Sequence, residues 1–519
     1  MAGLLPLPVV VPLGTAFLIV IFAHIRGLKV LPPWIATLAV VANLVLAVVF
    51  LGLMPGCPKD VETLRLYVGG WGEATGSTLG IEIVCDGLTT LMLIMINGVA
   101  LTALIFSGAY MRAFTKTWLF YALLLLMIAG MNGVVLAGDL FNLFVFIEVA
   151  VIASYALVGF GCESDEIEAS FKYLVLGTIG SSFILLGVTL LYSLTGHLNM
   201  AKVGEVLGEA GLRTSPATLL AAAALLGGLA LKAAMVPFHA WLPDAHPSAP
   251  APISAMLSGV LIKAAGVYVL ARLVFNVLGP VPEYGVVLMA LGTASMVIGV
   301  FLAVGQWDFK RLLAYHSISQ MGYVVLAIGV AAELTARRIH PAAAGVCMFG
   351  GLFHMLNHAA FKSLLFLSSG SIEQQAGTRV LTEMGGLSRR MKVTSFCCRI
   401  GALSIAGVPP FNGFFSKLII IIGLAMAGHP VLAGLAALVA LMTLVSFIKV
   451  QRYALEGEPG EKIADAREAP VLMCTAMLLL AAVCIGAGLA MGSLKTHLFS
   501  PAGDALMGDG GSVTKGVSP

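Results

Sequence analysis

Residues 227–252 read GGLALKAAMVPFHAWLPDAHPSAPAP, and how this stretch is read decides the fold. It opens as an apolar helix, carries one lysine (Lys232), breaks at Pro237 and passes into a proline-rich run. A lysine at bilayer depth costs roughly 2.5–3.5 kcal/mol on insertion scales, which points to a function and to a partner elsewhere in the membrane. Pro237 removes a backbone donor and frees carbonyls, tolerated at that depth only where protein or a water-filled cavity covers them. A charge beside a broken helix is how transporters build an ion site near the midplane. The plainer reading is a lysine snorkelling from the end of an ordinary helix. The apolar residues on both sides of Lys232 weigh against it.

The rest of the chain supports a membrane setting. Of its 519 residues 59% are hydrophobic and 11% charged, against about 25% charged in soluble domains. Mean hydropathy is +1.00. The net charge of +3 is small and argues against a nucleic-acid partner. The first apolar stretch lacks a basic leader and is too long for a signal peptide, so it reads as a first span. The eight cysteines form no C-x-x-C pair, and there is neither iron–sulfur nor zinc spacing. Neither G-x-G-x-x-G after a strand nor a Walker sequence occurs, so no cofactor and no metal is expected. Redox or ATP energy would have to come from partners.

Apolar runs separated by Gly, Pro and charges predict an all-α membrane protein of about fourteen spans. The run 80–110 is long enough to tilt or to include an interfacial turn. Residues 500–519, small and polar, read as a disordered tail. Loop lysines and arginines, clearest at Arg389, Arg390 and Lys392 and again at Lys449, Arg452, Lys462 and Arg467, favour a cytoplasmic assignment for their side. Both termini then fall outside.

Five basic residues remain inside the predicted spans: Lys232, Lys263, Lys362, Arg399 and Lys417. Arg399 is near a span end and can snorkel. The four lysines fall in four different spans, which is a pattern. Their acidic counterpart is Glu148, within DLFNLFVFIEVAVIASYALVGF; packing by a hydrogen-bonded carboxyl is its bland alternative. In GLFHMLNHAAFKSLLF, His354, His358 and Lys362 recur every four residues along one helix face. Such a stripe suits a proton relay. Metal binding by the two histidines would need further ligands and a closed geometry. His316 is weaker, because Ser317, Ser319 and Gln320 beside it suit hydrogen bonds between helices.

A second break, IAGVPPFNGFFSK, places Pro409 and Pro410 before Lys417. Five spans separate it from the first, the offset expected of two five-helix repeats inverted in the membrane. The organisation is then residues 1–110 for helices 1–3, 111–276 for the first repeat (helices 4–8), 277–453 for the second, inverted repeat (helices 9–13), and 454–519 for helix 14 and the polar tail.

The motifs VPFHAWLPDAHPSAPAPISAMLSGVLIK, FKRLLAYHSISQMGYVVLAIGV, HMLNHAAFKSLLFLSSGSI and GVPPFNGFFSK resemble the antiporter-like subunits of respiratory complex I, of Mrp-type cation/proton antiporters and of membrane-bound hydrogenases. The likeness covers roughly residues 80–450, and GDLFNLFVFIEVAVIASYAL and TGHLNMA look most like Mrp D-type and hydrogenase-type members. It implies fourteen helices, discontinuous helices 7 and 12, and a proton-translocating or Na+/H+-antiporting subunit of a larger complex in a prokaryotic plasma membrane. It also implies site roles for Glu148 with Lys232, then Lys263, His354, His358, Lys362 and Lys417, and no redox site of the subunit's own.

The physics of such a row is coupling between charges. An ion pair at about 4 Å is worth about 4 kcal/mol at an effective dielectric of 20, so a proton arriving on Lys263 or the histidines weakens the Glu148–Lys232 pair by like-charge repulsion. The titrations belong to the row as a whole. A self-sufficient secondary solute transporter is the rival from another class, and would show a central cavity with aromatic or amide groups. An inert scaffold for a redox module is the third, and would tolerate charge-neutral replacement of Glu148 and Lys232.

Overall fold

The computed structural model describes residues 2–25, 31–53, 63–71, 80–458, 463 and 465–508. Eleven helices among them are long and apolar enough to cross a membrane. The first six are α1 (Leu7–Ala23), α2 (Pro32–Leu53), α3 (Gly87–Tyr110), α4 (Thr117–Leu136), α5 (Leu140–Val158) and α6 (Ser164–Thr195). A short amphipathic α7 (Met200–Glu209) leads to α8 (Pro216–Lys232) and α9 (Leu242–Ser248). Then come α10 (Ala251–Val277), α11 (Pro282–Val304), α12 (Phe309–Arg337) and α13 (Pro341–Ala376). The chain ends through α14 (Lys392–Ala406), α15 (Asn412–Met426), α16 (Pro430–Leu455), α17 (Val471–Leu489) and α18 (Ser500–Met507).

The layers follow from burial. α10 is buried along nearly its whole length and α12 along most of it, whereas most residues of α1 and α2 are at least partly exposed. A helix apolar all round belongs in the interior of a large bundle, and one exposing Phe17, Leu18 and Ile21 to its surroundings belongs at a lipid boundary.

Two sequence expectations change. The run 80–110 does not begin as a helix: Glu82–Cys85 is a strand, paired antiparallel with Leu64–Tyr67. Asp86 then caps α3, accepting from the Thr89 amide at 2.9 Å and pairing with Arg272 at 2.5 Å. The tail is not disordered throughout, because Ser500–Met507 is helical and lies against the start of α3. Gly87 makes that contact possible; a Cβ there would meet the Pro501 carbonyl carbon at 2.4 Å. Residues 509–519, Cys57 and Lys462 lie outside the described residues.

Both proline signals become interruptions. The first separates α8 from α9 and the second α14 from α15. Backbone groups freed at the first break are taken up locally: the Trp241 indole donates to Leu231 O (3.0 Å), and the Ser295 hydroxyl accepts from Val236 N (2.9 Å). Trp241 is held by stacking on Tyr173, centroids 4.2 Å apart. At the second break Gly407 takes φ +80°, and Gly413 packs so near Ser404 O that a Cβ would lie 1.8 Å away.

Candidate functional site

The row begins where α5, α6 and α8 meet. Glycines let these backbones approach; a Cβ on Gly228 would stand 2.6 Å from Gly180 O. Lys232, the last residue of α8, has its Nζ 3.5 Å from Glu148 Oε1. The Ser181 hydroxyl donates to the same carboxylate oxygen. The lysine side chain is 2% exposed and the glutamate 25%, so the carboxylate looks partly into an apolar groove between α4 and α5. The expected pair is therefore present, with a serine as its third member.

Lys263 lies in a part of α10 that winds as π-helix, Lys263–Tyr268 following the π turn Leu257–Leu261. Such wide turns inside helices are rare and frequent at functional sites. Lys263 Nζ donates to Ser258 O at 2.7 Å. The Ser258 and Ser317 hydroxyls lie 2.7 Å apart, and Ser317 donates to Leu313 O at 3.1 Å. Either hydroxyl can be the donor between the two serines, since each carries one rotatable proton. Leu313 O also accepts from Lys362 Nζ. Lys263 and Lys362 are thus linked through the carbonyl and hydroxyl of Ser258, the Ser317 hydroxyl and the main-chain carbonyl of Leu313.

Four residues before Lys362 on α13 lies His358, fully buried with no hydrogen bond to either ring nitrogen. One turn further, His354 Nε2 hydrogen-bonds Gln320 Oε1 (3.2 Å), and its Nδ1 hydrogen-bonds Ser416 Oγ (2.9 Å). Ser416 precedes Lys417, whose Nζ donates to Ile405 O at 2.7 Å and stands 5.3 Å from the Tyr323 ring centroid. Asn357 and Asn412 tie α13 to the start of α15, Asn357 Nδ2 donating to Asn412 O at 3.0 Å. The seven residues singled out in the sequence fall into local groups, Glu148 with Lys232, Lys263 with Lys362, and His354 beside Ser416 and Lys417, with His358 between His354 and Lys362 on α13; of them only Glu148 has appreciable exposure.

Among the described residues no three His, Cys, Asp or Glu side chains gather where they could hold a metal ion. His316 is buried and hydrogen-bonded to Ser446 at 2.8 Å, in keeping with the interhelical role expected of its segment. Sequence reading missed Ser181, Ser258 and Ser416, since a serine in an apolar helix carries no signal of its own. It also missed Lys310 and His246, both buried here. Lys310 stands at the start of a predicted span, where a lysine is ordinarily solvated.

Long apolar helices around an internal row of titratable side chains define the class: an integral membrane protein built to hold charge inside the bilayer. The chain belongs to the family described as NADH:quinone oxidoreductase/Mrp antiporter, transmembrane, whose model matches residues 137–443. Residues 71–121 match the N-terminus of complex I chain 5. The N-type NADH-quinone oxidoreductase subunit of Desulforudis audaxviator is 36% identical over 82% of this chain and 83% of its own length. The D-type Na(+)/H(+) antiporter subunit of Alkalihalophilus pseudofirmus is 32% identical over 88% of each. Among solved structures, a chain of the Mrp complex from Dietzia sp. DQ12-45-1b superposes with a TM-score of 0.87 at 28% identity, covering 100% of this chain and 99% of that one. A chain of an archaeal membrane-bound sulfane sulfur reductase gives 0.82 at 29%, covering 99% and 98%.

Proposed function

We propose that this chain is a proton-translocating subunit, with Na+/H+ antiport as the alternative coupling, of a larger membrane complex of the complex I, Mrp or hydrogenase kind. One observation carries the reading: four lysines, two histidines and a glutamate, distant in sequence, lie inside the helical bundle, all but Glu148 buried, and Lys263 and Lys362 are linked through Ser258, Ser317 and Leu313 O. Buried charge this costly is retained where ions must pass. The names of the relatives, which include antiporter and NADH-quinone oxidoreductase subunits, support the same reading.

In this proposal Glu148 and Lys232 form the switching pair, Lys263, Lys362, His354 and His358 the relay, and Lys417 the terminal acceptor. The fold consists of fourteen spans, counting each interrupted helix once, with spans 4–8 and 9–13 as inverted repeats. The face bearing Arg389 and Arg390 is cytoplasmic, in a prokaryotic plasma membrane, and both termini lie on the other side. The test is reconstitution of the purified complex in proteoliposomes with proton and Na+ fluxes read separately. Fluxes unaffected by neutralising Glu148 or Lys232 would remove the reading in favour of a scaffold. Flux of an organic solute driven by the isolated subunit would favour the solute transporter.

A further inference from the structure

The face assigned above to the cytoplasm holds a feature that the row does not use. A polar cavity of about 810 Å³ opens there, between the ends of α3 and α6, the α9–α10 corner and the ends of α12 and α13. Its lining includes Glu166, Asp244, Asp308, Glu373 and Arg379. At its inner wall Lys310 Nζ sits 2.7 Å from Glu373 Oε2 and donates to Ala249 O at 3.2 Å. The glutamate side chain is 28% exposed and the lysine behind it 3%. Arg379 holds the other side of the carboxylate at 3.6 Å, and it is itself anchored to Asp308 (3.2 Å) and to Pro247 O (2.7 Å).

Behind this pair lies His246. It is fully buried, and neither ring nitrogen has a hydrogen-bond partner. Burying an imidazole without satisfying it is costly, so its retention needs a reason. Its ring centroid is 4.7 Å from that of Phe366, over which Lys362 Nζ stands at 5.6 Å. Lys310, Lys263 and Lys362 all lie within Coulombic reach of it. His246 is therefore within electrostatic reach both of the lysine at the cavity wall and of the two lysines in the middle of the row.

We propose that the Lys310–Glu373 pair is the gate by which protons reach the row from this cavity, and that His246 is the relay behind it. The inference rests on the proton-translocating function proposed above. A proton from cavity water binds the Glu373 carboxylate and gives the neutral acid, which removes the counter-charge that locks Lys310. The acid passes that proton through water to one ring nitrogen of neutral His246. The resulting imidazolium releases the proton on its other nitrogen to a neutral amine at Lys263 or Lys362, and imidazole is restored. Each step moves one proton and breaks no other bond. The charged and titratable groups facing Glu373 are Lys310, Arg379 and Tyr110; those facing His246 are Lys310, Lys263, Lys362 and His358. A cation retained at Lys310 repels a second proton, so the gate admits them singly.

The experiment uses the assembled complex in proteoliposomes, with subunit content quantified and pH varied on the cavity face. Glu373→Gln and His246→Leu should each lower proton translocation roughly tenfold or more. Glu373→Asp, which keeps a titrating carboxyl, should retain most of it with a displaced pH profile. The His246 ring makes no hydrogen bond, so leucine leaves no partner unsatisfied and the variant should assemble. Wild-type translocation in His246→Leu overturns the relay. Equal losses in the Gln and Asp variants with the wild-type pH profile make the pair a structural clamp and overturn the gate. Should Glu373→Gln fail to assemble, the Asp variant's profile decides in the same way. A wild-type complex that moves no protons would instead remove the proposed function.

Discussion

Lys417 Nζ donates to the main-chain oxygen of Ile405 at 2.7 Å, reaching back across the interruption between α14 and α15. The register of the two breaks gives this contact meaning. Pro237-Phe238 and Pro410-Phe411 share the same dipeptide at the two breaks, and five residues before the second proline of the pair lies Ile405, as Lys232 lies five before Pro237. The two lysines are not at equivalent positions. In one half the charge sits on the helix before the break; in the other a lysine beyond the break delivers its ammonium to the corresponding point. Under the repeat proposal, equivalent places in space are charged by residues that sequence alignment would not pair.

The Glu148–Lys232 contact gives the first prediction. Glu148→Gln should abolish translocation and also strand a buried ammonium, which costs about 3–5 kcal/mol when one partner of a buried pair is removed. Thermal unfolding of the purified complex should register that loss. The double variant Glu148→Gln/Lys232→Met strands no charge, and should recover stability without recovering pumping. Recovery of both would show that the pair serves packing alone.

The serine bridge between Lys263 and Lys362 gives the second. Ser317→Ala removes two links, to Ser258 and to Leu313 O, whereas Ser258→Ala removes one and leaves the Lys263 bond to the Ser258 carbonyl. A buried hydrogen bond lost on one side costs about 1–3 kcal/mol, so turnover should fall roughly tenfold in Ser317→Ala and less in Ser258→Ala. Ser317→Thr should be near wild type. A complex in which both alanine variants turn over normally would mean that protons bypass the bridge.

The helices and the row were legible in the sequence for local reasons. Lys232, Lys263, Lys362 and Lys417 stand out because nothing charged surrounds them, and Pro237 and Pro410 break apolar runs in which nothing else would. What could not be read depends on distant chain. Lys310 opens a helix beside Asp308 and Arg311 and looks solvated; it is buried because the α9–α10 corner and the end of α13 close over it. The π turns around Lys263 leave no mark in the composition of MLSGVLIKAAG, since they are set by how α10 fits its neighbours. Residues 500–507 look like tail until the packing of Pro501 on Gly87 is seen.

A third prediction concerns redox chemistry. The described cysteines are free, and no group of three His, Cys, Asp or Glu side chains that could hold a metal occurs among the described residues. The purified subunit should show neither dehydrogenase nor hydrogenase activity. Iron or flavin bound in stoichiometric amount, by elemental analysis or absorbance, would contradict this.

The last prediction returns to Lys417 and separates two roles for it. If it is the terminal proton acceptor, it must release its proton in each cycle. Arginine at this position keeps the charge and has donors to spare for Ile405 O, but guanidinium does not deprotonate in proteins. Lys417→Arg should then block translocation nearly as fully as Lys417→Ala. If Lys417 is instead a fixed counter-charge that steadies the break, arginine should serve well and alanine should not. The site leaves limited room for the larger head, with the Tyr323 ring 5.3 Å from the ammonium and the lysine chain so close to Gly407 that an added Cβ there would stand 3.3 Å from its Cδ. Thermal stability must therefore be measured beside flux, so that a strained arginine is not mistaken for a trapped proton. An arginine variant that is stable and inactive identifies Lys417 as a proton carrier. One that is stable and active makes it a holder of charge.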